Sequence, residues 1–227
     1  MTPKIPGIIG GMGPEATADL MVKVVRATPA KVDQDHIRML VDSNPKVPCR
    51  VKAIMGNGPN PGLVMAQMAK GLEKMGADFL VIPCNTAHYY IDHVKEAVNI
   101  DVLNIIEETV NVLEKDGVRK VALLATSALI NTKLYIKELT AAGIEVVLPQ
   151  ENYQQVLMEA IFAVKSGDFS KAESSIKEVV SHVISLGAES MILGCTELPL
   201  IIDEKQSPVK CYDPTNILAK AIVNKAL

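Results

Sequence analysis

Two cysteines occupy matching places in two halves of the chain. Cys84 lies in the segment Gly76–Thr86 and Cys195 in the segment Gly187–Glu197, and the two segments align without a gap at an offset of 111 residues. Each contains Gly-Ala-acidic, an apolar run typical of a buried strand, and then Cys with small polar residues. A thiolate can remove a proton from carbon and a thiol can return one. The matched pair therefore predicts two opposed bases that invert a carbon centre.

A packing role and metal binding are two other interpretations of these cysteines. A single free Cys is usually a buried packing residue, and the matched strand ends argue against that here. Backbone N–H groups of the following helices could lower a cysteine pKa, and Asn85, Thr86 and Thr196 could hold a substrate carboxylate. Cys84 and His88 have the spacing of two metal ligands, but without a CxxC we expect no metal site. We expect His88 to be a helix residue near the site rim or a partner that tunes Cys84.

A glycine-rich turn follows the first apolar run. Gly11–Ala16 reads G-x-G-x-x-A, the pattern of a dinucleotide-binding turn, with Asp42 as the candidate acid for a ribose. Glu15 would place a negative charge where the phosphates would lie. We therefore expect either a turn whose N–H groups meet one carboxylate or a turn that needs small residues for structural reasons.

Two cations could bind a small dicarboxylate. Arg50, in a loop, could form a bidentate clamp. Lys165, near the end of a predicted helix, could make a second carboxylate contact or simply favour the helix C-terminus. The remaining cysteines, Cys49 and Cys211, are interpreted as packing residues.

Short apolar runs alternate with amphipathic ones along the chain. The pattern predicts strands at 5–10, 37–42, 79–82, 102–105, 121–124, 144–148, 190–193 and 209–212, helices at 14–27, 63–75, 87–98, 107–116, 131–142, 153–166, 170–186 and 214–226, and a loop at 43–61. This alternation is typical of parallel sheets flanked by helices, with ligands at the carboxyl ends of the strands. Thr126 and Ser127 also follow such an end.

The repeat and the composition set the broad class. The repeat predicts two α/β domains, residues 1–99 with 208–227 and residues 100–207. With 23 basic and 26 acidic residues and a net charge of −3, there is no basic excess for nucleic acid. No apolar run reaches the roughly 18 residues of a membrane span, and the start of the sequence has no signal-peptide pattern. We expect a soluble cytoplasmic protein.

Three motifs together resemble one family. Ile8–Thr17, Pro83–His88 and Leu193–Pro199 resemble the aspartate/glutamate racemase family that works without pyridoxal phosphate. The resemblance implies two similar Rossmann-like domains related by a pseudo-twofold, with the active site in the cleft between them. It also implies no cofactor, a homodimer, and Cys84 and Cys195 as the two catalytic bases.

The resemblance also bears on the substrate. Arg50 and Lys165 stand where aspartate racemases carry carboxylate-binding Arg and Lys, whereas Cys49 departs from the acidic residue that many relatives have before that Arg. The expected substrate-binding residues are Met12, Arg50, Asn85, Thr86, Thr126, Ser127, Lys165, Thr196 and Glu197. We expect interconversion of L- and D-aspartate. The alternatives are a glutamate or broad-specificity racemase, a relative such as a hydantoin racemase or maleate isomerase, and a non-catalytic small-dicarboxylate-binding protein.

Overall fold

The computed structural model describes residues 3–227. These residues form two compact units. The first runs to Glu108 and includes Thr215–Leu227, and the second is Thr109–Pro214. No helix of the described chain is long and apolar enough to cross a membrane.

The first unit contains a parallel sheet of four strands in the order β2-β1-β3-β4. The strands are β1 Pro6–Gly10, β2 Leu40–Ser43, β3 Phe79–Val81 and β4 Asp101–Leu103. The two central strands, β1 and β3, are buried along their whole length, whereas the edge strand β4 is partly exposed. Burial on both faces explains why the central strands read as continuous apolar runs.

The second unit contains a second parallel sheet of four strands, in the order β6-β5-β7-β8. Its strands are β5 Lys120–Leu124, β6 Glu145–Val147, β7 Ser190–Leu193 and β8 Lys210–Tyr212. The predicted fold class, two similar α/β domains with parallel sheets, is confirmed in this respect.

The register of the two sheets repeats as well as the strand order. Ile8 pairs with Val81 in the first sheet, and Leu123 pairs with Ile192 in the second. These pairs are related by the offsets of 115 and 111 residues that the sequence repeat shows. Cys84 and Cys195 therefore follow equivalent strands at equivalent positions.

Helices flank both sheets. They are α1 Pro14–Ala27, α2 Arg50–Ile54, α3 Gly62–Lys74, α4 Ile91–Lys95, α5 Ile105–Lys115, α6 Ser127–Thr132, α7 Leu134–Ala141, α8 Glu151–Lys165, α9 Phe169–Ser185 and α10 Pro214–Ala226. Pro14 begins α1, where its missing N–H costs nothing. Short 3₁₀ turns lie at Asp33–Asp35, Asn85–Tyr90 and Leu198–Leu200.

The fourth strand of each sheet, β4 or β8, belongs to a different domain from the one predicted for it. β4 pairs with β3 in the first sheet, although the prediction began the second domain at residue 100. β8 pairs with β7 in the second sheet, although the prediction assigned residues 208–227 to the first domain. Each strand completes the sheet of its own unit, so β8 is the counterpart of β4. Of the C-terminal segment 208–227, the part from Thr215 onwards, which contains most of α10, belongs to the first unit.

Four local predictions need correction. The strand predicted at 37–42 is β2, at Leu40–Ser43, and the loop predicted at 43–61 contains α2. The helix predicted at 131–142 is divided into α6 and α7 because Lys133 adopts a left-handed conformation, with φ of 58°. The helix predicted at 87–98 is a 3₁₀ helix followed by the short α4.

Candidate functional site

Cys84 lies just beyond β3, at the start of the 3₁₀ helix. Its side chain is only 7% exposed. Its carbonyl accepts hydrogen bonds from the Ala87 N–H at 3.2 Å and from the His88 imidazole, whose Nδ1 lies 2.9 Å away. These bonds to the main chain fix the backbone that carries the thiol.

His88 is buried, at 3% exposure, so the predicted position at the rim of the site is wrong. The Ile105 N–H donates to His88 Nε2 at 3.2 Å. An N–H can only donate, so Nε2 is the acceptor and Nδ1 carries the proton donated to the Cys84 carbonyl. Burial lowers the pKa of His88 to about 4, the charge of Lys95 adds to this, and the bond to Cys84 opposes it. The imidazole is therefore neutral at pH 7 and joins the Cys84 backbone to the start of α5.

Asn85 and Thr86 follow Cys84 in the same 3₁₀ turn. Both are buried, at 2% and 6% exposure. The structure thus brings these two predicted site residues together with Cys84 at the end of β3.

Cys195 lies just beyond β7, at 7% exposure. Its thiol donates to Glu197 Oε2 at 2.9 Å, and Glu197 Oε1 forms an ion pair with Lys165. Burial raises the pKa of the Cys195 thiol well above its usual range, and the Glu197 charge raises it further, while Lys165 opposes this. The expected lowering by a helix N-terminus is wrong for Cys195, because a buried carboxylate lies beside the sulfur. Cys195 is therefore held as a thiol, a proton donor.

Glu197, Lys165 and Thr196 form one cluster around this thiol. The Glu197 side chain is 7% exposed and that of Lys165 is 35% exposed. The Thr196 hydroxyl lies 3.5 Å from Glu197 Oε2. Because both Glu197 oxygens already accept from neighbours, this carboxylate acts on the thiol and the ammonium group.

Arg50 begins α2 and is tied to nearby carbonyls. Its Nη2 donates to the Met12 carbonyl at 2.7 Å, and its Nη1 donates to the Pro48 carbonyl at 3.3 Å and the Val47 carbonyl at 3.5 Å. Its Nε is buried and has no hydrogen-bond partner among the described residues. Met12, which was predicted to bind substrate, packs its side chain in the core at 2% exposure and offers its carbonyl to Arg50.

The glycine-rich turn has a structural reason. Gly11 has a φ of +86°, and a Cβ there would lie 2.3 Å from the Asn44 carbonyl carbon. The Gly11 N–H donates to Thr17 Oγ1 at 2.9 Å, and that hydroxyl donates to the Gly13 carbonyl at 3.0 Å. The Gly11 N–H is thus already bonded within the turn, which accounts for the small residues without a dinucleotide.

Thr126 and Ser127 lie beyond β5, as predicted. Thr126 is the N-cap of α6, and its Oγ1 accepts from the Leu129 N–H at 3.2 Å. The Ser127 N–H donates to Met158 Sδ on α8 at 3.3 Å. Thr126 therefore has a capping role, and Ser127 is held against α8.

A further polar residue at this strand end, Gln154 on α8, was not predicted. Its Nε2 donates to the Ala125 carbonyl at 2.9 Å and to Ser127 Oγ at 3.1 Å. Gln154 precedes Lys165 by eleven residues, which is three helical turns, so the two side chains share one face of α8. That spacing was the one signal in the sequence that could have identified it.

The prediction that Cys49 and Cys211 are packing residues holds for one of them. Cys211 is buried in the core of the second unit, as predicted, but Cys49 is exposed, so its interpretation as a packing residue is wrong. Cys49 precedes the short α2, which buries none of its residues. Within residues 3–227, no three His, Cys, Asp or Glu side chains lie together as a metal site would require.

Each unit thus has a buried cysteine just beyond a central strand, Cys84 after β3 and Cys195 after β7. One holds a buried thiol with its backbone fixed, and the other holds a thiol bonded to a carboxylate. Residues 9–222 match the sequence model of the family described as Asp/Glu/hydantoin racemase. The chain belongs to this family. Its motifs at the glycine-rich turn and at both cysteines all lie within the matched region.

Individual relatives agree with this assignment. The chain is similar to the aspartate racemase of Picrophilus torridus, at 34% identity and a TM-score of 0.91, over 98% of this chain and 94% of that one. It is 30% identical over 225 residues, 97% of each chain, to the broad-specificity amino-acid racemase RacX of Bacillus subtilis. It is also 30% identical over 156 residues, 67% of this chain and 57% of the relative, to the glutamate racemase of Persephonella marina.

Proposed function

We propose that this protein interconverts L- and D-aspartate without a cofactor, by proton transfer through Cys84 and Cys195. The observation that carries the proposal is the equivalent placement of two buried thiols beyond β3 and β7, one of them bonded to a carboxylate. Each half of the duplicated fold then contributes one acid/base group to the reaction.

The proposed reaction starts with Cys84 as thiolate and Cys195 as thiol. The Cys84 sulfur takes the α-proton of one enantiomer, and the electron pair of the broken C–H bond stays on the α-carbon. The Cys195 S–H then gives its proton to the opposite face of that carbon and becomes a thiolate. The other enantiomer reacts in the reverse sense, with Cys195 as the base.

The Glu197–Lys165 pair supports the role of Cys195. A thiol beside a carboxylate keeps its proton until a carbanion, a far stronger base, accepts it. In the reverse direction, the same environment makes the Cys195 thiolate a stronger base than an ordinary one. Lys165 limits the repulsion between that thiolate and Glu197.

Arg50 supports a substrate with a side-chain carboxylate. Its bonds to Met12 and Pro48 hold the guanidinium in place, and its buried Nε–H has no acceptor within residues 3–227. A carboxylate of the substrate would accept from this group, with Met12 contributing through the carbonyl that positions it. In this proposal Asn85, Thr86, Thr126, Ser127 and Thr196 contact the substrate at the strand ends.

A substrate screen tests the choice of aspartate. Purified protein is incubated with enantiopure aspartate, glutamate, alanine and lysine in turn, without added cofactor, and both enantiomers are quantified by chiral chromatography. We expect the highest kcat/KM with aspartate, and an Arg50→Ala loss that is at least about tenfold larger for aspartate than for alanine. A higher kcat/KM with glutamate or lysine would reject the aspartate assignment.

Broad specificity is the second candidate, because the similarity to RacX extends over the whole chain. It predicts comparable kcat/KM values for several amino acids in the same screen. A non-catalytic dicarboxylate-binding protein predicts tight aspartate binding with no D-enantiomer formed.

Two further properties are part of the proposal. We propose a homodimer, which would show twice the mass of the chain in light scattering, whereas the mass of one chain would reject it. We also propose a cytoplasmic location, which cell fractionation would test.

A further inference from the structure

The Gln154 side chain carries an acceptor that no other described residue engages. Its Nε2 donates to the Ala125 carbonyl and to Ser127 Oγ, whereas its Oε1 is buried and has no hydrogen-bond partner among the described residues. A carbonyl oxygen can only accept, so the NH₂ group must face Ala125 and Oε1 must face away from it. The Ala125 carbonyl therefore fixes which end of the Gln154 amide is oxygen and which is nitrogen.

The Gln154 side chain is bonded to the segment after β5, which packs beside the turn that carries Cys195. Ala125, whose carbonyl Gln154 binds, is the residue next after β5. Gly194, which precedes Cys195, approaches it so closely that a Cβ on Gly194 would lie 3.1 Å from the Ala125 Cβ. The Gln154 amide is therefore attached to the backbone that packs against the Cys195 turn.

A buried acceptor without a hydrogen-bond partner is rare in proteins and destabilises the fold. An amino acid brings a group that would satisfy it, since its α-ammonium has three N–H donors. The Glu197 carboxylate already accepts from Cys195 and Lys165. An uncharged acceptor also leaves the ammonium charge unneutralised, which stabilises negative charge developing on the α-carbon.

We propose that Gln154 Oε1 accepts a hydrogen bond from the α-ammonium group of the substrate. This proposal rests on the proposed function for the substrate class. It makes Gln154 a specificity residue that favours amino acids over the corresponding acids without nitrogen.

The test compares two ligands that differ in the ammonium group. Dissociation constants of L-aspartate and succinate are measured by calorimetry for the wild type, Gln154→Met and the matched control Gln155→Met, whose position on α8 is exposed. We expect Gln154→Met to weaken aspartate by roughly ten- to a hundredfold, as for a lost bond to a charged group, and to change succinate less than about threefold. Gln155→Met should change neither.

Two results would overturn the inference. Equal losses for both ligands would mean that Gln154 only holds the 125–127 turn, and no loss for either would mean that its Oε1 does not meet the substrate. If Gln154→Met does not fold, Gln154→Asn, which shortens the side chain by one methylene, should give the same selective loss.

The outcomes for function and for Gln154 are separable. A wild type that racemises aspartate without the selective loss in Gln154→Met refutes only the role of Gln154. If Gln154→Met shows the selective loss of aspartate binding but the wild type forms no D-aspartate, only the racemase proposal is refuted. A wild type that binds neither ligand refutes both.

Discussion

Acid should destabilise this protein through His88 in a defined pH window. The imidazole is buried and neutral, with Nε2 accepting from Ile105 and Nδ1 donating to Cys84, and its pKa falls from 6.5 to about 4. Below pH 6.5 the unfolded chain binds a proton at His88 that the folded chain refuses until about pH 4. His88 therefore contributes stability that is present above pH 6.5 and is lost as the pH falls towards 4.

The size of the effect follows from the two pKa values. The difference between 6.5 and about 4, at about 1.36 kcal/mol per pH unit, corresponds to roughly 3 kcal/mol. This is a large fraction of a typical free energy of unfolding. Protonation would also end the acceptor role of Nε2 for the Ile105 N–H.

The assay is urea unfolding of the wild type and His88→Gln between pH 7 and pH 4. His88→Gln is less stable at every pH because glutamine cannot make both hydrogen bonds of the imidazole. It has no group at position 88 that titrates between pH 7 and pH 4, however. We expect the wild type to lose about 3 kcal/mol more than the variant over this range. Carboxyl groups titrate equally in both proteins and cancel in the difference.

A matched control comes from His36, which is exposed. His36→Gln should keep the pH dependence of the wild type. Parallel curves for the wild type and His88→Gln would refute the reasoning, because they would show that His88 titrates alike in the folded and unfolded chains.

Two other predictions concern charge and backbone conformation. Glu197→Gln removes the anion that raises the pKa of Cys195, so the pH midpoint for Cys195 alkylation by iodoacetamide, followed by mass spectrometry, should fall; an unchanged or higher midpoint would contradict the cluster. Gly11→Ala places a Cβ against the Asn44 backbone at positive φ and should cost at least about 2 kcal/mol in urea unfolding. Gly71→Ala, in the open interior of α3, should be neutral or stabilising by up to about 1 kcal/mol, and similar losses for both would refute the steric argument.

The duplicated core could be predicted from the sequence because it depends on local patterns. Buried parallel strands read as apolar runs, and the offset between Cys84 and Cys195 reappears in the register of β3 and β7. The place of β8 was missed because a three-residue strand carries no mark of the sheet it joins. Its pairing with β7 is a property of the folded unit.

The sequence indicates candidate site residues, but it does not indicate which atoms those residues contact. Glu197 was identified two residues after Cys195, yet its ion pair with Lys165 joins positions 32 residues apart. The spacing of four between Cys84 and His88 does not reveal the hydrogen bond between His88 and the start of α5. Local sequence order indicates which groups follow a strand, and tertiary packing decides which atoms they meet.

The most direct test of the account is the fate of the α-hydrogen of L-aspartate in deuterated water. The wild type and Cys49→Ser, which changes only an exposed thiol, should both form D-aspartate that carries α-deuterium. Cys84→Ser and Cys195→Ser should each lower this rate by at least about a hundredfold, since each lacks one acid/base group. Racemisation at the wild-type rate in either variant would contradict the assignment of the two cysteines as paired bases.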